Sequence, residues 1–219
     1  MPVVSPLAKT MIDTGDLITS QVKSWAPLGS GNNHPVHQGP CLTSQATSIV
    51  LNGQNQMYKA KDGTMVTNDW NRPMRRSAYV LKFGAGNCQD LAALAYCFCR
   101  DNFLETAQIQ FVVNRSFGHA YVIVTMGGEQ VVVDPWPLYA QSMMAADHFC
   151  GLNYQEVQKQ GPGLVSATTL KLNKPSRVQT ALGRAQTAQW TPNGSYACTR
   201  QYTHQFGARS QGWLSYTTS

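Results

Sequence analysis

The chain has 219 residues, of which 42% are hydrophobic and 13% are charged, and its net charge is +6. This length suits one good-sized domain with a buried core. No run of about 18 apolar residues could span a bilayer, so no transmembrane segment is predicted. The six cysteines do not make a disulfide scaffold in a chain of this size, and we expect reduced thiols.

The positive charge is concentrated in the last third of the chain. Residues 1–150 hold ten basic and ten acidic side chains, whereas residues 151–219 hold seven basic side chains and one acid, Glu156. This surface could suit an acidic partner or an anionic membrane, although a soluble basic face is the simpler interpretation. The N-terminus lacks the basic-then-apolar pattern of a Sec signal peptide, so any export would use a route without a cleavable signal.

Residues 1–24 are polar with scattered apolar positions, which predicts a leader that is flexible or holds one short helix. No repeat or clean linker divides the remainder, so residues 25–219 are predicted to form a single domain. Its core motifs lie in residues 70–150, and residues 151–219 form a basic C-terminal extension.

Local patterns predict several elements before the core motifs. Residues 43–51 have helical spacing, and the Asp62-Gly63 pair predicts a hairpin turn. Pro73 suits a first helical position, and Gly84 suits the residue that ends a helix. We therefore expect a helix over residues 74–83.

The next helix begins at a cysteine. Asn87 is a good N-cap, and Asp90 at the third helical position completes a capping box. Cys88 is then the first helical residue, where unpaired N–H groups and the helix dipole favour thiolate over thiol. The helix is apolar on nearly every side, so we expect it to be buried and to end near residues 100–103.

After this helix the spacing of the apolar residues changes from a helical to a strand-like pattern, which predicts strands. A β-branched run covers residues 109–113, and further strands over 119–125 and 130–134 flank a tight Gly127-Gly128 turn. Residues 138–149 are predicted to be helical.

The glycine turn sets the register of the hairpin. If it is the whole loop, Met126 faces Glu129 and Tyr121 faces Asp134. His119 then lies diagonally across from Asp134 on the same face, since side chains two apart share a side. Diagonal neighbours are roughly 7 Å apart at Cα, within reach of an imidazole and a carboxylate.

A cysteine, a histidine and an aspartate have a definite joint chemistry. An imidazole such as His119 can take the proton of the Cys88 thiol, and Asp134 can orient and charge that imidazole. Backbone N–H groups at the helix start can stabilise an oxyanion. The predicted reaction is acyl transfer at an amide through a thioester, with Trp136 either lining the cleft or packing in the core.

Each of these residues also has a purely structural interpretation. Cys88 could be a buried small hydrophobe, His119 could be a core histidine bonded to backbone, and Asp134 before Pro135 could open a turn. The hairpin geometry and the helix cap favour the catalytic interpretation.

Other candidates for sites are weaker. His34, His37 and Cys41 have loosely ligand-like spacing but no fourth ligand nearby, so neither a metal nor a cofactor is predicted. His148 and His204 are interpreted as incidental. No phosphate-binding glycine loop and no nucleic-acid motif is present.

Three blocks of the chain, residues 86–92, 118–121 and 133–136, resemble the Cys-His-Asp motifs of papain-fold bacterial toxins and type III effectors. The resemblance is greatest to the glutamine deamidases of the Pasteurella mitogenic toxin type. It implies an α+β, papain-like cysteine-protease fold, with a central buried helix carrying the cysteine and an antiparallel sheet carrying the other two residues. It also implies Cys88 as nucleophile, His119 as general base and Asp134 as its orienting group.

One feature departs from the papain pattern. The oxyanion glutamine expected a few residues before the cysteine is absent, and Lys82 and Phe83 occupy that neighbourhood. Gln45 and Asn87 are the candidate replacements.

The resemblance implies an exported effector that deamidates a glutamine or asparagine side chain of a protein in a host or rival cell. Export would follow a type III or similar route, and a secretion chaperone is a further candidate partner. The alternatives are a cysteine protease of the same fold, a transglutaminase-type acyl transferase, and a non-catalytic binding module that docks through its basic C-terminal third.

Overall fold

The computed structural model describes parts of both ends and the centre of the chain. The described residues are 2–26, 73, 76–77, 80–81, 84, 86–137, 141–151, 153, 155–165 and 215–218. Several predictions lie outside them, namely the helix over 43–51, the hairpin around residues 62–63, and the side chains of Gln45, His34, His37, Cys41 and His204. Most of the basic extension, residues 166–214, also lies outside the described residues.

The N-terminal segment is part of the folded core. After a short strand β1 (Val3–Val4), helix α1 (Pro6–Trp25) runs for 20 residues and is capped by Ser5, whose Oγ accepts from the Ala8 N–H. Buried residues recur every three or four positions along α1 and form one side of it. They are Ala8, Met11, Ile12, Gly15, Ile18, Thr19 and Val22. Of the two alternatives expected for residues 1–24, the structure has the helix, which is longer than predicted because the scattered apolar residues form one helical face.

Helix α2 (Cys88–Asn102) is the central helix. Twelve of its 15 residues are buried, which confirms the predicted burial and the predicted end near residues 100–103. Among the described residues before it, Pro73, Arg76, Ser77, Val80 and Leu81 are helical.

Gly84 is not helical, as predicted. Gly84 adopts a positive φ of 69°, and its N–H donates to the Val80 carbonyl at 2.7 Å. Glycine reaches this conformation without steric cost, which is why it is common at helix ends.

Five antiparallel strands form the main sheet, in the order β5-β4-β3-β2-β6. Their bounds are β2 (Gln108–Asn114), β3 (His119–Met126), β4 (Glu129–Val133), β5 (Met143–Met144) and β6 (Gln155–Pro162). A last strand, β7 (Thr217–Thr218), pairs with β1 in parallel outside this sheet.

The β3–β4 hairpin has the predicted register. Met126 pairs with Glu129 and Val122 pairs with Val133. Gly127 and Gly128 have φ values of 58° and 85°, the positive pair that a tight two-residue hairpin turn requires.

Both helices pack on one face of the sheet. Alternate strand residues, including Phe111, Val122, Val124 and Val131, join α1 and α2 in one large hydrophobic cluster, and a smaller cluster covers the opposite face. The coarse prediction of an α+β fold with an antiparallel sheet is confirmed. None of the helices that the structure describes is long and apolar enough to cross a membrane.

The segment after the hairpin differs from the prediction of a helix over residues 138–149. Of its described residues, Met143–Met144 form strand β5 and Ala145–Asp147 form a single 3₁₀ turn. Strand β5 pairs with Val131 and Val132 of β4. The helix prediction is wrong because this backbone bonds to the edge of the sheet instead of to itself.

Candidate active site

A buried ion pair holds the turn that presents Cys88. Oδ1 of Asp90 accepts from the Arg76 guanidinium at 2.9 Å, and Oδ2 accepts from the Asn87 N–H at 2.9 Å. The second contact is the reciprocal bond of the predicted capping box. Asp90 is fully buried, so its position fixes the start of α2, where Cys88 lies with 7% of its surface exposed.

A steric constraint explains why residue 86, before this turn, is a glycine. A Cβ atom at Gly86 would lie 2.6 Å from the Cβ of Asp90, closer than real side chains approach one another. A larger residue there would displace the capping carboxylate.

His119 and Asp134 form the predicted pair. His119 is the first residue of β3, and Asp134 directly follows β4. Nε2 of His119 lies 2.6 Å from Oδ2 of Asp134, and both side chains are at most 2% exposed. Oδ1 of the carboxylate accepts from the Trp136 N–H at 3.1 Å, so both of its oxygens are engaged.

The packing of α2 on β3 brings the cysteine to this pair. The Cys88 thiol lies within hydrogen-bonding reach of the His119 imidazole, and its sulfur is 4.0 Å from the Gly118 carbonyl oxygen. Because Nε2 is bonded to Asp134, Nδ1 is the ring nitrogen that remains for the thiol. The three residues thus form one chain of contacts, from thiol to imidazole to carboxylate.

Electrostatics favour a charged imidazole in this chain. Burial lowers the pKa of His119, but the charge and hydrogen bond of Asp134, with help from Cys88, outweigh burial and raise that pKa to about 10. Burial alone would raise the pKa of Asp134, yet the contacts with His119 and His148 hold it well below its usual range. An imidazolium beside a carboxylate is therefore the favoured state at neutral pH.

Sequence reasoning missed a second imidazole on Asp134. Nε2 of His148 lies 3.2 Å from Oδ2 of Asp134, and His148 is 4% exposed. The interpretation of His148 as incidental is therefore wrong. It lay in the segment predicted to be helical, and no local pattern pointed it towards the hairpin.

Aromatic rings enclose the histidine. The Trp136 ring lies 4.7 Å from the His119 ring, centroid to centroid, and the Phe149 ring lies at 5.3 Å. Trp136 is 3% exposed and belongs to the large hydrophobic cluster, so it packs in the core directly against His119. Asn87 adjoins Cys88 and stays a candidate oxyanion donor, whereas Gln45 lies outside the described residues.

The same cluster has donor atoms of the kind that bind metals. One ligand atom each from His119, Asp134 and His148 lie within 4.8 Å of one another, and two histidines with a carboxylate suit Zn²⁺. The contacts to Asp134 at 2.6 Å and 3.2 Å are hydrogen-bond lengths. An N–H on each imidazole satisfies the carboxylate without a metal, which is the simpler account.

Comparison of the chain with protein-family models found no match, and comparisons with curated proteins and with solved structures found no significant match.

Proposed function

We propose that this protein is a cysteine amidohydrolase in which Cys88 is the nucleophile, His119 the general base and Asp134 the group that orients His119. The observation that carries the proposal is the 2.6 Å contact between His119 Nε2 and Asp134 Oδ2, with the thiol of Cys88 in reach of the same imidazole. The position of Cys88 at the N-terminus of α2 adds backbone N–H groups and the helix dipole.

The reaction follows from these contacts. In the charged state His119 holds the thiol proton on the ring nitrogen that Asp134 does not bind, and the thiolate sulfur bonds to the amide carbon of the substrate. N–H groups at the start of α2 stabilise the oxyanion. The C–N bond then breaks, and the nitrogen leaves with the proton from His119. Water attacks the thioester, which yields a carboxylic acid and restores the thiol.

The proposed substrate is a glutamine or asparagine side chain of a protein in a host or rival cell, from which the reaction releases ammonia. The support for this choice is the resemblance of residues 86–92, 118–121 and 133–136 to the deamidase toxins. We accordingly propose that the protein is exported and acts in the cytosol of the target cell.

Mass spectrometry of candidate target proteins tests both the role of Cys88 and the proposed deamidation. Incubation with the wild-type enzyme should increase the target mass by about one dalton per site, the difference between an amide and its acid, and the Cys88→Ala variant should not. Cys97→Ala is a matched control because this thiol is also buried in α2 and should retain activity. Target proteins left unchanged by the wild-type enzyme would contradict the deamidase assignment.

The same experiment separates the alternatives. Cleaved target fragments would identify a cysteine protease, because the same residues act on a backbone amide. Incorporation of an added primary amine would identify a transglutaminase-type reaction. If iodoacetamide alkylates Cys88 no faster than the buried Cys97, the thiol is not activated, and a binding module becomes the better account.

A further inference from the structure

The carboxylate of Asp134 has three polar contacts, one more than a Cys-His-Asp mechanism requires. Oδ1 accepts from the Trp136 N–H at 3.1 Å. Oδ2 contacts Nε2 of His119 at 2.6 Å and Nε2 of His148 at 3.2 Å. The three ionisable side chains are each at most 4% exposed, so solvent does not replace any of these contacts.

These contacts define the protons of both imidazoles. An ionised carboxylate only accepts hydrogen bonds, so His119 and His148 must each donate an Nε2–H to Asp134. Among the residues that the structure describes, no group bonds Nδ1 of His148. A proton on that nitrogen would be a buried donor without an acceptor and would place a second cation on one carboxylate. The neutral tautomer with its proton on Nε2 therefore fits His148 best.

The ring of His148 is held in place by packing. It follows the 3₁₀ turn Ala145–Asp147, and its centroid lies 4.5 Å from the Tyr121 ring and 4.4 Å from the Phe149 ring. The imidazole thus reaches Asp134 from a segment outside the β3–β4 hairpin.

We propose that His148 is a positioning residue, which holds the Asp134 carboxylate in the orientation that His119 needs. With the Trp136 N–H on one oxygen and His148 on the other, the carboxylate cannot rotate without losing a buried hydrogen bond. Without His148, rotation of Asp134 would weaken its bond to His119 and hence the imidazolium. This inference rests on the proposed Cys-His-Asp function and adds a fourth residue to it.

Other titratable groups also interact with the cluster. Lys23 of α1, Tyr121 of β3 and Cys150 interact electrostatically with Asp134, and Cys88 of α2 contacts His119. Since these groups are the same in each variant below, differences between variants report on His148.

Two variants of the full chain test the proposal. His148→Phe keeps a ring of similar size but cannot donate a hydrogen bond, whereas His148→Gln retains an N–H donor. The measurement is the rate of Cys88 alkylation by iodoacetamide as a function of pH, followed by mass spectrometry. We expect His148→Phe to react about tenfold more slowly at neutral pH, with a shifted pH profile, and His148→Gln to recover most of the rate.

Three outcomes would overturn the inference. One is a wild-type rate and profile in His148→Phe, and another is an equal loss in both variants with an unshifted profile, which indicates a structural role only. The third is the finding, by ¹⁵N NMR of the wild-type protein, that the His148 imidazole is protonated only on Nδ1, because it could then not donate to Asp134. This measurement does not depend on the folding of any variant. If instead wild-type Cys88 reacts no faster than Cys97, the proposed function fails, while the NMR result still decides the role of His148.

Discussion

Nε2 of His119 lies 2.6 Å from Oδ2 of Asp134, although the two residues are 15 positions apart in the chain. The contact arises because one residue begins β3 and the other follows β4, across the open end of a tight hairpin. A buried carboxylate at this distance orients the imidazole and favours its protonated form. The activity proposed for Cys88 depends on this relationship.

Replacement of Asp134 by Asn should reduce kcat/KM by at least about a hundredfold, since an amide cannot stabilise the imidazolium. Burial lowers the pKa of His119, but Asp134 outweighs burial and raises that pKa to about 10. Loss of the negative charge lowers that pKa, so the alkaline limb of the pH profile should move to lower pH. The measurement is the pH dependence of kcat/KM for a protein that the enzyme deamidates, or of Cys88 alkylation.

Asp147→Asn is the matched control for this variant. Asp147 accepts from the Tyr216 hydroxyl at 2.8 Å and makes no described contact with His119. The same chemical change there should leave the alkaline limb in place. An unshifted limb in Asp134→Asn would show that Asp134 does not charge the imidazole.

Replacement of Asp90 by Ala should destabilise the protein by about 3 to 5 kcal/mol, because it leaves the Arg76 guanidinium buried without its carboxylate. Urea denaturation measures this loss. The variant should also slow alkylation of Cys88, since the bond from the Asn87 N–H to Asp90 is lost at the start of α2.

The exposed ion pair between Lys9 and Asp13 provides the comparison. Asp13→Ala removes the same kind of carboxylate from α1, yet it should cost less than about 1 kcal/mol because solvent screens the pair. Equal effects of the two substitutions would argue against a special role for the buried pair.

Replacement of Gly15 by Ala should destabilise the protein by about 1 to 3 kcal/mol through overpacking. The added Cβ would lie 2.4 Å from Oγ of Ser142 and 3.0 Å from Cγ2 of Val133, where α1 packs against the sheet. Thermal or urea unfolding measures the change. In a Ser142→Gly background much of the penalty should disappear, and a stability unaffected by Gly15→Ala would show that α1 does not dock as described.

Exhaustive chelation should leave both Cys88 alkylation and hydrolysis unchanged. The N–H groups of His119 and His148 satisfy Asp134 at hydrogen-bond distances, so the proposed chemistry requires no metal. The measurement is activity before and after treatment with a chelator, together with metal analysis of the purified protein. Activity that is lost on chelation and restored by Zn²⁺ would instead identify a metal centre at these three residues.

Helix α1 illustrates why part of the fold escaped prediction. Its apolar residues, such as Met11, Ile18 and Val22, are separated by polar ones, so the segment looks polar along the chain. Its buried face gains stability by packing on β4 and α2. The error over residues 138–149 has a similar origin, since β5 exists only because the edge of β4 is available for pairing.

By itself, the sequence determined the geometry inside each local unit. A two-residue glycine turn sets strand register, and side-chain alternation then places His119 and Asp134 on one face. The cap pattern likewise placed Cys88 first in α2. Only the tertiary structure decided that Cys88 meets His119 and that His148 reaches Asp134. Those contacts depend on how α2 and residues 141–151 pack against the sheet, and long-range packing is not encoded in any local pattern.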